Sequence, residues 1–197
     1  MNPASQTETS LPPDLQSVLD DFGKSDREAR RIIEGLTDEQ ANWQPGPASW
    51  SIAQCLNHLA IGNKMYAAAL REAMTRANAS GKPRRDPIRP GGWFSAYFLR
   101  SMEPPAKQKW KAPKKIVPAS RIGAAEALDA FLRADDDLRA VVRDGPPLDL
   151  NRIRFHNPFV AIFRFTVATG LLLMAAHNRR HLWQADQVRH APGLPGY

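Results

Sequence analysis

The segment HNRRH places His177 and His181 four residues apart, and a helix carries residues at that spacing on one face, one turn apart. Counting back from His177 by threes and fours meets Met174, Leu173, Gly170, Thr166, Phe163, Ile162 and Phe159. Counting forward from His181 meets Gln184, Ala185 and Val188. Both imidazoles therefore extend an apolar, core-facing stripe. A buried imidazole without a partner is costly, so something must satisfy the pair. One answer is a divalent ion, because neutral imidazole ligates zinc, nickel, copper and iron; the other is ordinary hydrogen bonding to nearby carbonyls. A third histidine, His58, flanks a second apolar stripe, with Cys55 one turn before it and Gly62 one turn after, surroundings small enough to leave a pocket. Taken alone, His58 is better read as a helix-surface histidine or one bonded inside the core.

The neighbours of these histidines narrow the chemistry. In zinc peptidases the first histidine of such a pair is followed by a glutamate that serves as general base; here Asn178 takes that place, followed by Arg179 and Arg180. No carboxylate is tied to the pair by spacing, so a metal-dependent hydrolase is the weaker reading. Gln184 shares the histidine face and either orients a ligand or bonds into the core, the second being preferred. Arg180 can grip an anionic cofactor, although exposed helical arginines are common. Trp50 reads as a hydrophobic staple at a helix start, and Cys55 as a small buried hydrophobe. His156 and His190 fall outside the pattern.

Four helical patterns position these residues, and no strand is evident. The first runs from about Asp14 to Leu36, followed by a turn whose Thr37 and Gln40 have capping-box spacing. After the stiff WQPGPASW connection, Ser51 and Gln54 repeat that signature and open a second helix reaching about Ala79, with Ile52, Leu56, Leu59, Tyr66, Leu70 and Met74 inward. Between Lys82 and Pro118 the pattern dissolves into prolines and the basic clusters KPRR and KQKWKAPKK, with a short helix expected at Trp93–Met102; so long a connection is usually functional or mobile. The third helix spans about Ser120 to Arg143. The fourth is expected to start after Asn157 as N-cap, with Pro158 in the first position, and to run to Arg189, roughly 45 Å, with Gly170 as a site for a kink. Four helices with one long connection specify an all-α four-helix bundle: a flexible tail at 1–13, one domain at 14–190, and a C-terminal tail at 191–197.

Composition sets the outer bounds. Hydrophobic residues make up 43% and charged residues 24% of 197 residues, a balance that supports a packed core rather than a disordered chain. The formal charge of +7 suits an acidic ligand, so a nucleic-acid module using the two basic clusters, Trp110, Arg179 and Arg180 is a rival; no nucleic-acid fold signature accompanies them. The single cysteine excludes an internal disulfide. The N-terminal residues lack a basic start and an apolar run, and Arg164 interrupts the longest apolar stretch, Phe159 to Ala176, so a soluble cytoplasmic protein without a membrane segment is expected.

WSIAQCLNHL (Trp50–Leu59), followed much later by HNRRHLWQADQVR (His177–Arg189), resembles the DinB/YfiT-like superfamily. The shared features are a tryptophan-serine helix start, a histidine seven residues after the serine, and a final helix bearing H-x-x-x-H with a glutamine soon after. The resemblance covers the whole chain in helix order and loop lengths. It implies that His58, His177 and His181 bind a divalent metal (nickel, zinc, iron or manganese), leaving at least one coordination position open. It also implies a homodimer. Because the superfamily includes low-molecular-weight thiol S-transferases and a thiol-dependent isomerase, it implies a small-molecule or thiol partner and a metal-held thiolate attacking an electrophile. A metal-binding sensor or stress protein without a reaction of its own is the rival reading.

Overall fold

The computed structural model describes residues 10–78, 83–105 and 111–196. Helix α1 (Pro13–Ile33) begins with proline in the first turn, carries Asp14 there and Arg30 and Arg31 in its last turn, and is followed by Gly35 at φ +74°. The short α2 (Asp38–Asn42) follows the Thr37–Gln40 capping box. A second reciprocal pair opens α3 (Ile52–Asn78): the Gln54 N–H donates to Ser51 Oγ at 3.1 Å, and the Ser51 N–H donates to Gln54 Oε1 at 3.0 Å. Then come α4 (Trp93–Met102), a 3-10 turn at Lys114–Ile116, α5 (Ala124–Arg143), strands β1 (Arg154–His156) and β2 (Arg164–Thr166), and α6 (Val167–Arg189).

Four of these elements make the expected bundle. α3 packs on α5 and α6, and α1 packs on the same two helices from the other side. Two apolar clusters fill it. One gathers Leu15, Phe22, Tyr66, Leu70, Leu138 and Leu171; the other gathers Ile32, Leu56, Leu59, Phe131, Leu182 and Ala185. Each bundle helix contributes to both clusters and carries a polar residue in the interval between them: Asp26 on α1, Asn63 on α3, Asp135 on α5, and His177 with Asn178 on α6. The functional residues lie in or beside this polar layer.

The fourth helix begins nine residues later than its pattern suggests, at Val167 rather than Pro158, and spans roughly 35 Å. Asn157 does cap: its Oδ1 accepts from the Phe159 and Val160 N–H groups at 2.8 and 3.2 Å, but it closes the turn of a β-hairpin. β1 and β2 pair antiparallel, with Phe155 opposite Phe165, and both rings are buried. The true N-cap is Thr166, whose Oγ1 accepts from the Thr169 N–H at 3.1 Å. Phe155 and Phe165 bury one face of the two short strands, a period-two pattern concealed within the apolar stretch that reads as helix. Gly170 lies inside the continuous α6. Its role is close packing, because a Cβ there would sit 2.8 Å from Leu70 Cδ2 and 2.9 Å from the Phe155 ring.

The termini differ too. Residues 1–9 of the expected flexible tail lie outside the described residues. The C-terminal stretch packs on the body: Leu194 is buried, and Gln40 Nε2 donates to the Pro195 carbonyl at 2.7 Å.

Candidate metal centre

α3 and α6 bring His58, His177 and His181 together, with one possible ligand nitrogen from each lying within 4.8 Å of the others. Ring centroids are 4.5 Å apart for His58–His181, 4.6 Å for His177–His181 and 5.1 Å for His58–His177. His58 and His177 are buried at 2% and 8% exposure, while His181 is half-buried, so the approach from solvent lies on its side.

Outer partners fix two of the tautomers. His58 Nδ1 lies 2.7 Å from the Ile116 carbonyl, which can only accept, so Nδ1 carries the proton and Nε2 is a free lone pair. His181 Nδ1 lies 3.0 Å from Gln184 Oε1, which likewise leaves Nε2 unprotonated. His58 Nε2 and His177 Nε2 are 3.3 Å apart. Two nitrogens bound at about 2.05 Å to one tetrahedral ion are separated by roughly 3.3 Å, so this spacing fits a shared ion as well as an imidazole–imidazole hydrogen bond. His177 Nδ1 is buried with no partner among the described residues.

Burial holds all three imidazoles in the neutral, ligating form. Desolvation pulls His58 below the ordinary histidine range. It pulls His177 and His181 well below it, with neighbouring imidazoles and the Arg180 guanidinium adding to the effect. Trp50 is a wall of this site: its ring lies 4.6 Å from His58 and 5.6 Å from His181, a closer role than the staple its sequence position suggests. Phe159, from the hairpin turn, lies 6.5 Å from His177, and Gly62 keeps the space between them, since a Cβ there would meet both rings at 3.4 and 3.7 Å.

The other sequence candidates fall into place around this centre. Gln184 bonds His181 rather than the apolar core. Arg180 is buried, not exposed, and Nη1 donates to the Ser101 carbonyl at the end of α4 at 3.1 Å. Cys55 is fully buried in the second apolar cluster, and burial pushes its thiol up, so it behaves as a hydrophobe. His156 and His190 bond backbone carbonyls of their own segments. Of the residues invoked for nucleic acid, Arg179 is held by Glu103 at 2.6 and 2.9 Å and by Asp21 at 3.0 Å. Lys82 and residues 106–110, Trp110 included, lie outside the described residues.

Sequence reasoning missed a second buried polar group. Asp135 Oδ1 accepts from Asn63 Nδ2 at 2.9 Å and from Asn178 Nδ2 at 2.7 Å, and Asn63 Nδ2 also meets Asn178 Oδ1 at 3.0 Å. Arg139 joins from α5, with Nη1 3.5 Å from Asp135 Oδ2 and Nη2 2.5 Å from Asp26 Oδ2. Burial, and then the negative charge of Asp26, push the Asp135 carboxyl well above the usual range. The signal was present: Asp135 lies four residues after Phe131 and three before Leu138, on the inward stripe of α5.

A family model for the DinB superfamily matches residues 22–185. No curated protein and no solved structure matches the chain.

Proposed function

The chain belongs to the DinB superfamily, and we propose that it is a divalent-metal-dependent enzyme in which His58, His177 and His181 are the ligands. The observation that carries this reading is the convergence of three buried imidazoles, of which His58 and His181 have their outer nitrogens held by the Ile116 carbonyl and the Gln184 amide. Histidine ligands usually donate their second N–H to such an acceptor, which fixes the ring and raises its basicity. Three protein ligands leave coordination open for a small molecule.

The reaction we propose is transfer of a low-molecular-weight thiol to a small electrophile. A bound divalent ion supplies positive charge that favours the deprotonated form of a thiol, so no protein carboxylate is needed as base. The protein residues supply the setting. His58 and His181 present Nε2 lone pairs in fixed orientation, Trp50 and Phe159 give the site apolar walls that exclude water, and buried Arg180 places a cation beside His177. Gln184 acts as a positioning residue through His181. The ion is nickel, zinc, iron or manganese, chosen by supply as much as by ligand type.

The test begins with metal content of the untagged protein after exposure to each of these ions. About one ion per chain, lost in His177→Ala and in His181→Ala, supports the site. Conjugation of a thiol to a chromogenic electrophile, present in wild type and absent in both variants, supports the reaction. Stoichiometric metal without turnover across a thiol and electrophile panel leaves a binding protein and overturns the enzyme assignment. Sedimentation equilibrium checks the homodimer, and fractionation checks the cytoplasmic location, which belong to the same proposal.

A further inference from the structure

No helix of the described residues is long and apolar enough to cross a membrane, but one face of the molecule has the chemistry of a surface that rests on one. On α4, Trp93 and Tyr97 stand one turn apart with 82% and 59% exposure, and Phe94 beside them is exposed as well. The tip of the β1–β2 hairpin adds Val160, Ile162 and Phe163, with Ile162 at 85% exposure. The two parts form one patch, because Phe94 packs against Phe163 at 5.7 Å between centroids, and Phe98 against Phe165 at 5.9 Å behind them. These six account for all but one of the exposed large hydrophobic residues described in the chain. Contiguous exposure of this kind marks an interaction site.

The charges around the patch say what it meets. Residues 87–102 and 150–166, the segments that build this face, contain Arg89, Arg100, Arg152, Arg154 and Arg164 and no Asp or Glu. Arg89 and Arg152 have acidic neighbours in Asp86 at 3.9 Å and Asp149 at 3.4 Å; Arg100, Arg154 and Arg164 have none among the described residues. Arg154, His156 and Arg164 project from the hairpin face opposite Phe155 and Phe165, so they flank the apolar tip from its outer side, while Arg100 lies three residues beyond Tyr97 on α4. A second copy meeting this face across a two-fold axis would set arginines against arginines. A single-stranded nucleic acid would use the aromatic rings, but gains little from an aliphatic tip such as Val160–Ile162. An anionic bilayer uses all three features: arginines toward phosphates, Trp93 and Tyr97 at the depth of the headgroups, and Ile162 below them.

We propose that the α4–hairpin face docks the protein on the surface of an anionic phospholipid membrane. Docking there is independent of the metal assignment, although Phe159, in the same hairpin turn, lies against His177. The experiment is cosedimentation of the full chain with vesicles of phosphatidylcholine alone and of phosphatidylcholine mixed with phosphatidylserine, at low and high salt. Salt-sensitive binding to the mixed vesicles only is expected, weakened about tenfold or more by Ile162→Asp and by the pair Arg154→Glu and Arg164→Glu. All three positions are exposed, and an unchanged helical spectrum confirms that the variants fold. Absence of binding, binding indifferent to these substitutions, preferential capture by a single-stranded oligonucleotide in competition, or self-association abolished by the same substitutions would each overturn the proposal.

Discussion

The histidine triad and the Asn63–Asp135–Asn178 cluster share neighbouring turns of α3 and α6, with Asp135 added from α5, and His177 and Asn178 are consecutive residues. They nevertheless satisfy their polar atoms in opposite ways. In the cluster the donors turn inward: two amide groups converge on one carboxylate oxygen, and α1, α3, α5 and α6 are tied together by that convergence and by Arg139. In the triad the outer nitrogens of His58 and His181 are occupied, and the free lone pairs face one another across a gap. Donors that converge on a carboxylate tie helices together, whereas imidazole nitrogens that converge on one another suit a cation.

Substitution separates the two regions most sharply at Asp135. Asp135→Ala leaves the Asn63 and Asn178 amides without their shared acceptor, while Arg139 keeps Asp26 and Asp136, and should cost about 1–3 kcal/mol in denaturant unfolding, with metal content per folded chain unchanged. Asp135→Asn mimics the protonated acid and should stay within about 1 kcal/mol of wild type. Both variants losing stability equally would show that the carboxylate charge, not its hydrogen bonds, ties the helices.

The two regions should also answer pH with opposite sign. His177 and His181 have folded pKa values below the unfolded value of about 6.5, so their contribution is present above that pH and is lost as pH falls through it. Asp135 has a folded pKa above the unfolded value of about 3.9, so its contribution is present below that pH and is lost as pH rises toward the folded value. Urea midpoints of the metal-free chain measured across pH 4–8 should therefore fall less on the acid side in His177→Ala, and less on the alkaline side in Asp135→Asn.

Smaller effects test how each histidine is oriented. Gln184→Leu removes the acceptor for His181 Nδ1 and should weaken metal binding about 10–100-fold in a competition titration, with little change in apo stability. His190→Ala is the control: an exposed histidine bonded to its own helix end should change neither metal content nor, beyond about 0.5 kcal/mol, stability. A measurable loss of metal there would mean that H-x-x-x-H is not the ligand pair.

Much of this was legible before any coordinates. Helical periodicity placed His177 and His181 on the inward face, and two S/T-x-x-Q capping signatures marked the start of α3 and a turn at Thr37 that is in fact the short α2. The hairpin was hidden because each strand is only three residues long and lies against an apolar stretch that also fits a helix. Trp50 was misplaced for another reason: it precedes α3 by two residues, and its contacts with His58 and His181 span 8 and 131 positions, beyond what spacing along one helix reports. The Asn63–Asp135–Asn178 cluster joins residues 43 to 115 positions apart, so only the anomaly of a carboxylate on an apolar stripe could announce it.

His58 is aimed by the carbonyl of Ile116, a main-chain atom in the proline-rich connection. An alanine scan through Lys114–Val117 keeps that oxygen in place and would report only the buried Ile116 side chain. Deleting one residue from it changes the path of the chain and takes the oxygen away. Chain length and route, rather than side-chain identity, are thus what this connection contributes to the orientation of His58.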